Sequence, residues 1–241
     1  MTLQEVPAAS VAALFAPERP GPLIHQHAAA SGVGRCRADR PVDPRTAVAD
    51  VAGNIACRGE PAAVPDLRGL VEAPPRWVPA LREVAEVLVW ARIIAVLPDG
   101  AEPVSRHPVR RLTSSDVADL EGLDRSIDWI SVTWGGHAGL AASGRAWGAF
   151  DDNRLVSVAT SFFVGAAHED IGVVTEPGHR GRGLSTSCAA AVVADIRARG
   201  HRPTWTTSPD NTGSRAVAGR LGFVHERDDV LYAVGVPIPV D

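Results

Sequence analysis

Between Pro177 and Cys188 the chain reads PGHRGRGLSTSC, so that Arg180 and Arg182 alternate with Gly181 and Gly183, and Leu184, Ser185 and Thr186 open an alanine-rich run. A helix that starts here leaves its first N–H groups without intrahelical partners and carries about half a positive charge at that end. The glycines let a ligand approach the backbone, the guanidiniums add charge, and the hydroxyls can donate. The chemistry on offer is anion binding, with a pyrophosphate as the fitting ligand. The loop is not the G-x-x-x-x-G-K-[ST] phosphate loop, because the chain contains no lysine. Nor is it the dinucleotide fingerprint, since GRGLST breaks after its second glycine. An arginine-rich surface turn that merely caps a helix is the alternative these residues leave open.

Other groupings offer less. Cys36, Cys57 and Cys188 form an odd set with no C-x-x-C pair, the pattern of buried free thiols in a reducing compartment. His25, His27 and Cys36 match no metal-ligand spacing, so no metal is expected. A net charge of -4 supplies no basic field for a nucleic-acid backbone. The longest apolar run, Val87 to Leu97, is too short for a membrane span and carries Arg92, and the N-terminus lacks the marks of a signal peptide. The chain therefore reads as a cytoplasmic protein whose partners are small molecules rather than nucleic acid or membrane, with a homodimer left open.

To present the loop, a strand must precede it and a helix must follow. His168 to Thr175 is β-branched enough for the strand, and Ser185 to Arg199 is helical with Gly200 as its stop. Ala146 to Phe150 and Leu155 to Val164 read as two more strands, joined by a hairpin turn in which Asp151 and Asp152 are expected to act only as turn residues. Downstream come a strand in RPTWTTS, a helix in NTGSRAVAGRLG and a closing strand in DDVLYAVGV; upstream, a strand in PVRRLT, a helix in SSDVADLEGL and a helix-rich stretch from Ile127 to Ala142. This order implies an α/β fold, a mixed α+β sheet rather than a doubly wound one. Proline and glycine punctuate the first hundred residues, where one longer helix is expected from Arg76 through Trp77, Leu81, Val84, Val87 and Leu88, then a strand ended by Pro98. Residues 98–108 look like a linker, no internal repeat is visible, and the chain divides into 1–104 and 105–241.

VVTEPGHRGRGLS resembles motif A of the GCN5-related N-acetyltransferases (GNAT), R/Q-x-x-G-x-G/A, with Arg180, Gly183 and Ser185 in its three places and serine as a small departure at the last. NTGSRAVAGRLGF is similar to the family's second signature, in which Asn211 and Ser214 start a helix that ends in Leu221, Gly222 and Phe223. Two signatures in the right order, a helix and a strand apart, are far more specific than one. The resemblance covers about Pro108 to Val236, and within it SVTWGG, AWGAF, RLVSVATSF and PTWTTSPDN look most like the zwittermicin-resistance subgroup. Residues 1–104 resemble no family and are either a degenerate copy of the same fold or a helical cap.

The resemblance implies the GNAT acyl-CoA N-acyltransferase fold in the C-terminal half and an acetyl-CoA-dependent N-acetyltransferase acting on a small-molecule amine. Backbone groups of Val173, Val174 and Thr175 would run beside the pantetheine arm, and Gly181 to Thr186 would meet the pyrophosphate, with Arg180, Asn211 and Ser214 completing the coenzyme contacts. Glu169 stands where histone-type members keep a catalytic glutamate, and strand alternation sets it on one face with Ile171 and Val173 unless a bulge intervenes. It is the expected general base, with Asp170 second. Many members carry a tyrosine acid seven residues after the motif asparagine; that place is Ala218 here, and the one tyrosine is Tyr232. Water, Ser214 or another group would then protonate the leaving thiolate. Trp129 and Trp134 are the expected pocket aromatics. Two other readings stand beside this one: a coenzyme-binding module without transfer, for which the missing tyrosine speaks, and a protein or peptide acetyltransferase.

Overall fold

The computed structural model describes residues 3–239. Among the described residues, twelve strands form one mixed sheet, and the order of elements falls into two like halves. In the first, β1 (Gln4–Val6) is followed by α1 (Ala8–Val11) and α2 (Ile24–Ser31), then by the antiparallel β2 (Arg35–Ala38), β3 (Thr46–Val51) and β4 (Asn54–Gly59). β5 (Gly69–Glu72) lies parallel to β4; α3 (Val78–Arg82) and β6 (Val87–Val96) close the half.

The second half repeats this plan. β7 (Arg110–Arg111) leads through α4 (Val117–Glu121), a 3-10 helix (Arg125–Trp134) and α5 (His137–Ala142) to the antiparallel β8 (Ala146–Asp151), β9 (Arg154–Val164) and β10 (His168–Thr175). α6 (Leu184–Ala198) connects β10 to the parallel β11 (Arg202–Thr207), and α7 (Thr212–Leu221) leads to β12 (Val224–Val234). Small features repeat as well. The β3–β4 hairpin turns on Ala52 and Gly53, the β8–β9 hairpin on Asp152 and Asn153, all four with positive φ, as a two-residue I′ turn requires.

The halves exchange their last strands. β12 pairs with β5 of the first half and β6 pairs with β11 of the second, giving the order β1-β2-β3-β4-β5-β12-β6-β11-β10-β9-β8-β7. The first hundred residues are thus a topological relative of the rest, an arrangement that sequence similarity between the halves does not reveal. The helix expected from Arg76 stops at Arg82. Val87 and Leu88, which extended its apolar spacing, belong instead to β6, where ten residues of pairing with β12 outweigh local helical periodicity. The stretch from Ile127 is a 3-10 helix to Trp134 before α5 resumes α geometry.

Helix layers cover both faces of the second half. Leu184, Cys188, Val192 and Ile196 recur every four residues on α6, and all are buried against Val156, Ala159 and Ile171 of the sheet. On the other face Leu120, Ile127, Ile130 and Leu140 pack on Leu155, Val158 and Val174. β9, covered on both sides, is buried at nearly every position. The sheet curls enough for α2 to lie against both β3 and β9, so the face away from α6 is concave and enclosed by both halves.

Candidate active site

The site begins with a strand that loses one neighbour. β10 and β11 pair only from His168–Arg202 to Asp170–Thr204, and the register of β10 against β9 shifts just after Asp170. Beyond that point β10 stays paired with β9 as far as Thr175, while β11 stays paired with β6 as far as Thr207. Ile171 to Thr175 and Trp205 to Thr207 therefore line the two sides of a V. Their facing backbone groups can hydrogen-bond an extended chain of amides laid between them.

Where β10 ends, the loop enters. Gly181 and Gly183 have φ of 78° and 82°, in the region that L side chains rarely adopt, and a Cβ on Gly183 would stand 3.4 Å from His107 Nε2. Gly183 is the N-cap of the fifteen-residue α6 and no side chain caps it. The hydroxyl of Thr186 is buried in the first turn without a protein partner. An uncapped helix start, glycines that bare the backbone and an orphaned hydroxyl fit a pyrophosphate. Arg180 donates from Nε to the Thr175 carbonyl at 3.4 Å. Arg182 is ion-paired with Asp151 at 2.7 Å, and His179 approaches the same carboxylate at 3.3 Å, so Asp151 does more than turn the hairpin: it holds the loop against the β8–β9 turn. Ser187 accepts from the Arg106 and His107 N–H groups and ties the linker to α6. Asn211 caps α7 by accepting from Ser214 N at 2.7 Å, and the Ser214 hydroxyl accepts from the Trp205 indole.

Glu169 and Asp170 are neighbours with opposite fates. Glu169 points to the α6 side, fully buried, where Arg145, Arg199 and His201 bond its carboxylate at 2.7 to 2.9 Å and Ser161 donates its hydroxyl. Burial pushes its pKa up, but the bonds from Arg199 and Ser161 and the charges of Arg199 and Arg145 prevail and hold it below the usual range. That is the geometry of an ion cluster locking the end of α6 to the sheet. Asp170 points to the concave face at the apex of the V, where Thr204 and Thr206 donate to its Oδ1 at 2.8 and 2.9 Å. Burial raises its pKa to about 6, against the two threonine bonds and the field of Arg92 and Arg227.

A family profile described as GNAT acetyltransferase matches residues 104–232. The chain belongs to the GNAT family. It is 40% identical over 200 residues to the N-acetyltransferase in the mutA 5' region of Streptomyces virginiae, an overlap covering 78% of this chain and 84% of that one. Among solved structures, a GNAT-like protein of Streptococcus suis superposes with a TM-score of 0.72 at 18% identity, covering 94% of this chain and 97% of the other. A tandem GNAT protein from the clavulanic acid biosynthesis pathway superposes with a TM-score of 0.56 at 14% identity over 93% and 91% of the two chains. At such identity these structures speak to the fold, and they extend it over both halves. This GNAT protein is accordingly an N-acetyltransferase.

The remaining expected residues fall in several environments. Trp129 is 43% exposed and meets Phe162 edge-on at 5.4 Å; Trp134 donates to the Ser161 carbonyl and lies edge-on to His27. Ala218 is buried on the inner face of α7, and Tyr232 is buried in the core of the first half. His25 and His27 bond backbone carbonyls of Ala8 and Thr133, and the three cysteines are buried free thiols. No helix among the described residues is long and apolar enough to cross a membrane. The sequence reading did not single out Thr204, Thr206, Arg92 or Arg227. The first two were within reach: hydroxyls two apart in a strand, with the apolar Trp205 between them, share one face.

Proposed function

We propose that this GNAT enzyme transfers the acetyl group of acetyl-CoA to the amine of a small molecule, with Asp170 rather than Glu169 as the general base. The observation that carries the reading is a buried carboxylate with pKa raised to about 6, at the apex of the V and on the concave face. Acetyl-CoA supplies an activated acyl thioester. The open edges of Val173, Val174 and Thr175 bind its amide arm, and Gly181 to Thr186 with Arg180 and Arg182 receive its phosphates.

An acceptor amine reaches the enzyme largely as an ammonium ion and must lose a proton before its lone pair can attack. Asp170 is mainly ionised above pH 6 and takes that proton, while Thr204 and Thr206 hold the carboxylate in place. Glu169 has its oxygens committed to Arg145, Arg199, His201 and Ser161 and serves the fold. The acceptor enters from the concave face, with Trp129 as a candidate wall. The buried free thiols support a reducing, cytoplasmic setting.

The test is release of free coenzyme thiol on mixing the protein with acetyl-CoA and a panel of small amines beside a panel of peptides. We expect turnover with a small amine, with kcat/KM rising through about pH 6, and a loss of about a hundredfold or more in Asp170→Asn. Full activity of Asp170→Asn across that range removes the residue from the reaction.

A further inference from the structure

In the first half the parallel pairing also stops early, because β5 ends at Glu72. β4 and β5 pair from Asn54–Leu70 to Ala56–Glu72 and no further, so Glu72 and Ala56 stand at this apex as Thr204 and Asp170 do at the other. Instead of a loop and helix, residues 60–68 link the strands directly, and there is no helix N-terminus to hold a nucleotide's phosphates. What remains is a cavity of about 500 Å³ on the concave face, a volume that suits a small organic ligand.

Its walls are of two kinds. Phe15, Leu23, Ile24 and Ala56 are buried and apolar, whereas the ionisable groups are Arg19, Arg58, Arg227, Glu72 and Asp229. Glu72 Oε1 accepts from Arg58 at 2.6 Å and from Arg19 at 3.1 Å, and Asp229 accepts from Arg227 at 2.8 Å and lies 3.7 Å from Arg19. His25 stacks behind Phe15 and adds no charge near neutrality, because burial depresses its pKa. Three guanidiniums thus face two carboxylates, which leaves one positive charge at a half-closed apolar cavity. The cavity's apex between β4 and β5 is separated from the Asp170 apex between β11 and β10 by β12 and β6. Arg227, whose charge reaches Asp170, stands at the cavity's near edge, where the Pro20 carbonyl accepts from it and a Cβ on Gly21 would meet it.

We infer that this cavity is a second ligand site, outside the transferase site, for a small organic molecule with an apolar body and a single carboxylate. The carboxylate takes the guanidinium charge that Glu72 and Asp229 leave uncompensated, with Arg58 and Arg19 as its partners. The body lies on Phe15, Leu23 and Ile24.

The probes are monocarboxylates of about ten heavy atoms, each beside its own primary amide, titrated into the full-length protein by calorimetry and protein NMR with and without coenzyme A. At least one acid should bind with Kd below about 1 mM and at least tenfold more tightly than its amide. Arg58→Gln should remove that preference. Arg19→Gln, at a side chain more than half exposed and so little needed for folding, should weaken the acid several-fold while leaving coenzyme affinity unchanged. Arg182→Ala should leave acid binding as it was. The inference is overturned if no acid binds, if acids and amides bind alike, or if coenzyme A displaces the acid competitively.

Discussion

The two halves share a plan and differ in one connection. Both set three antiparallel strands beside a parallel partner, stop that parallel pairing after three residues, and send their last strand into the other's territory. In the second half residues 176–201 follow the parting strand and contain the glycine-arginine loop and the fifteen-residue α6; in the first, residues 60–68 suffice. A sheet alone can offer amide edges, but charge for a pyrophosphate comes from a helix start with glycines that open it. With no helix between its parallel strands, the first half has a cavity of about 500 Å³ beside them. Where the second apex carries Asp170, the first carries Ala56, so the first half lacks a counterpart of the proposed base as well as of the proposed coenzyme loop.

The comparison can be broken at several points. The largest effect should come from Glu169→Gln, which strands Arg145, Arg199 and His201 around a neutral amide. We expect a loss of about 3 kcal/mol in unfolding free energy, measured by denaturant titration at neutral pH. The folded fraction should retain turnover. Because the Glu169 pKa is depressed, this stabilisation is present above the ordinary glutamate pKa and fades as pH falls through the folded value, so the variant and wild type should converge in strong acid.

Asp170→Asn should do the reverse. An acid whose folded pKa is raised binds its proton more tightly in the native state, so ionising it costs stability as pH climbs from about 4 to about 6. A shift from 3.8 to about 6 corresponds to about 3 kcal/mol at full development. The variant should melt several degrees higher than wild type at pH 8 and equally at pH 4, while losing turnover. Equal melting at both values would mean that the carboxylate carries no such strain.

Much of the second half was legible, because its punctuation is local. Arg180 to Thr186 announce a helix start by residue type alone, and the three strands before it lie within a residue or so of their expected limits, since β-branched runs meet Asp152–Asn153 and Gly165. The first half was opaque for the opposite reason. Its order depends on β12, more than 150 residues after β5, and on a β6 whose apolar spacing imitates the end of a helix. Glu169 and Asp170 show the same limit within one dipeptide. Alternation said that they face opposite ways, but only the fold brings Arg199 to one and Thr204 and Thr206 to the other.

Smaller effects bear on the grip itself. Gly183→Val should weaken coenzyme A about tenfold or more, through strain at positive φ and through crowding of the site beside His107. Arg182→Ala should cost only a few-fold, for Asp151 already neutralises much of that guanidinium's charge, and the loss should shrink further in high salt. Calorimetry on each variant reads both.

Coenzyme A titrated into the full-length protein by calorimetry distinguishes a coenzyme site in the second half alone from one in both halves. A site in the second half alone gives one molecule bound per chain, with affinity that falls in Gly183→Val and is unmoved by Arg19→Gln. Two molecules per chain, or one whose affinity ignores Gly183→Val, would contradict it.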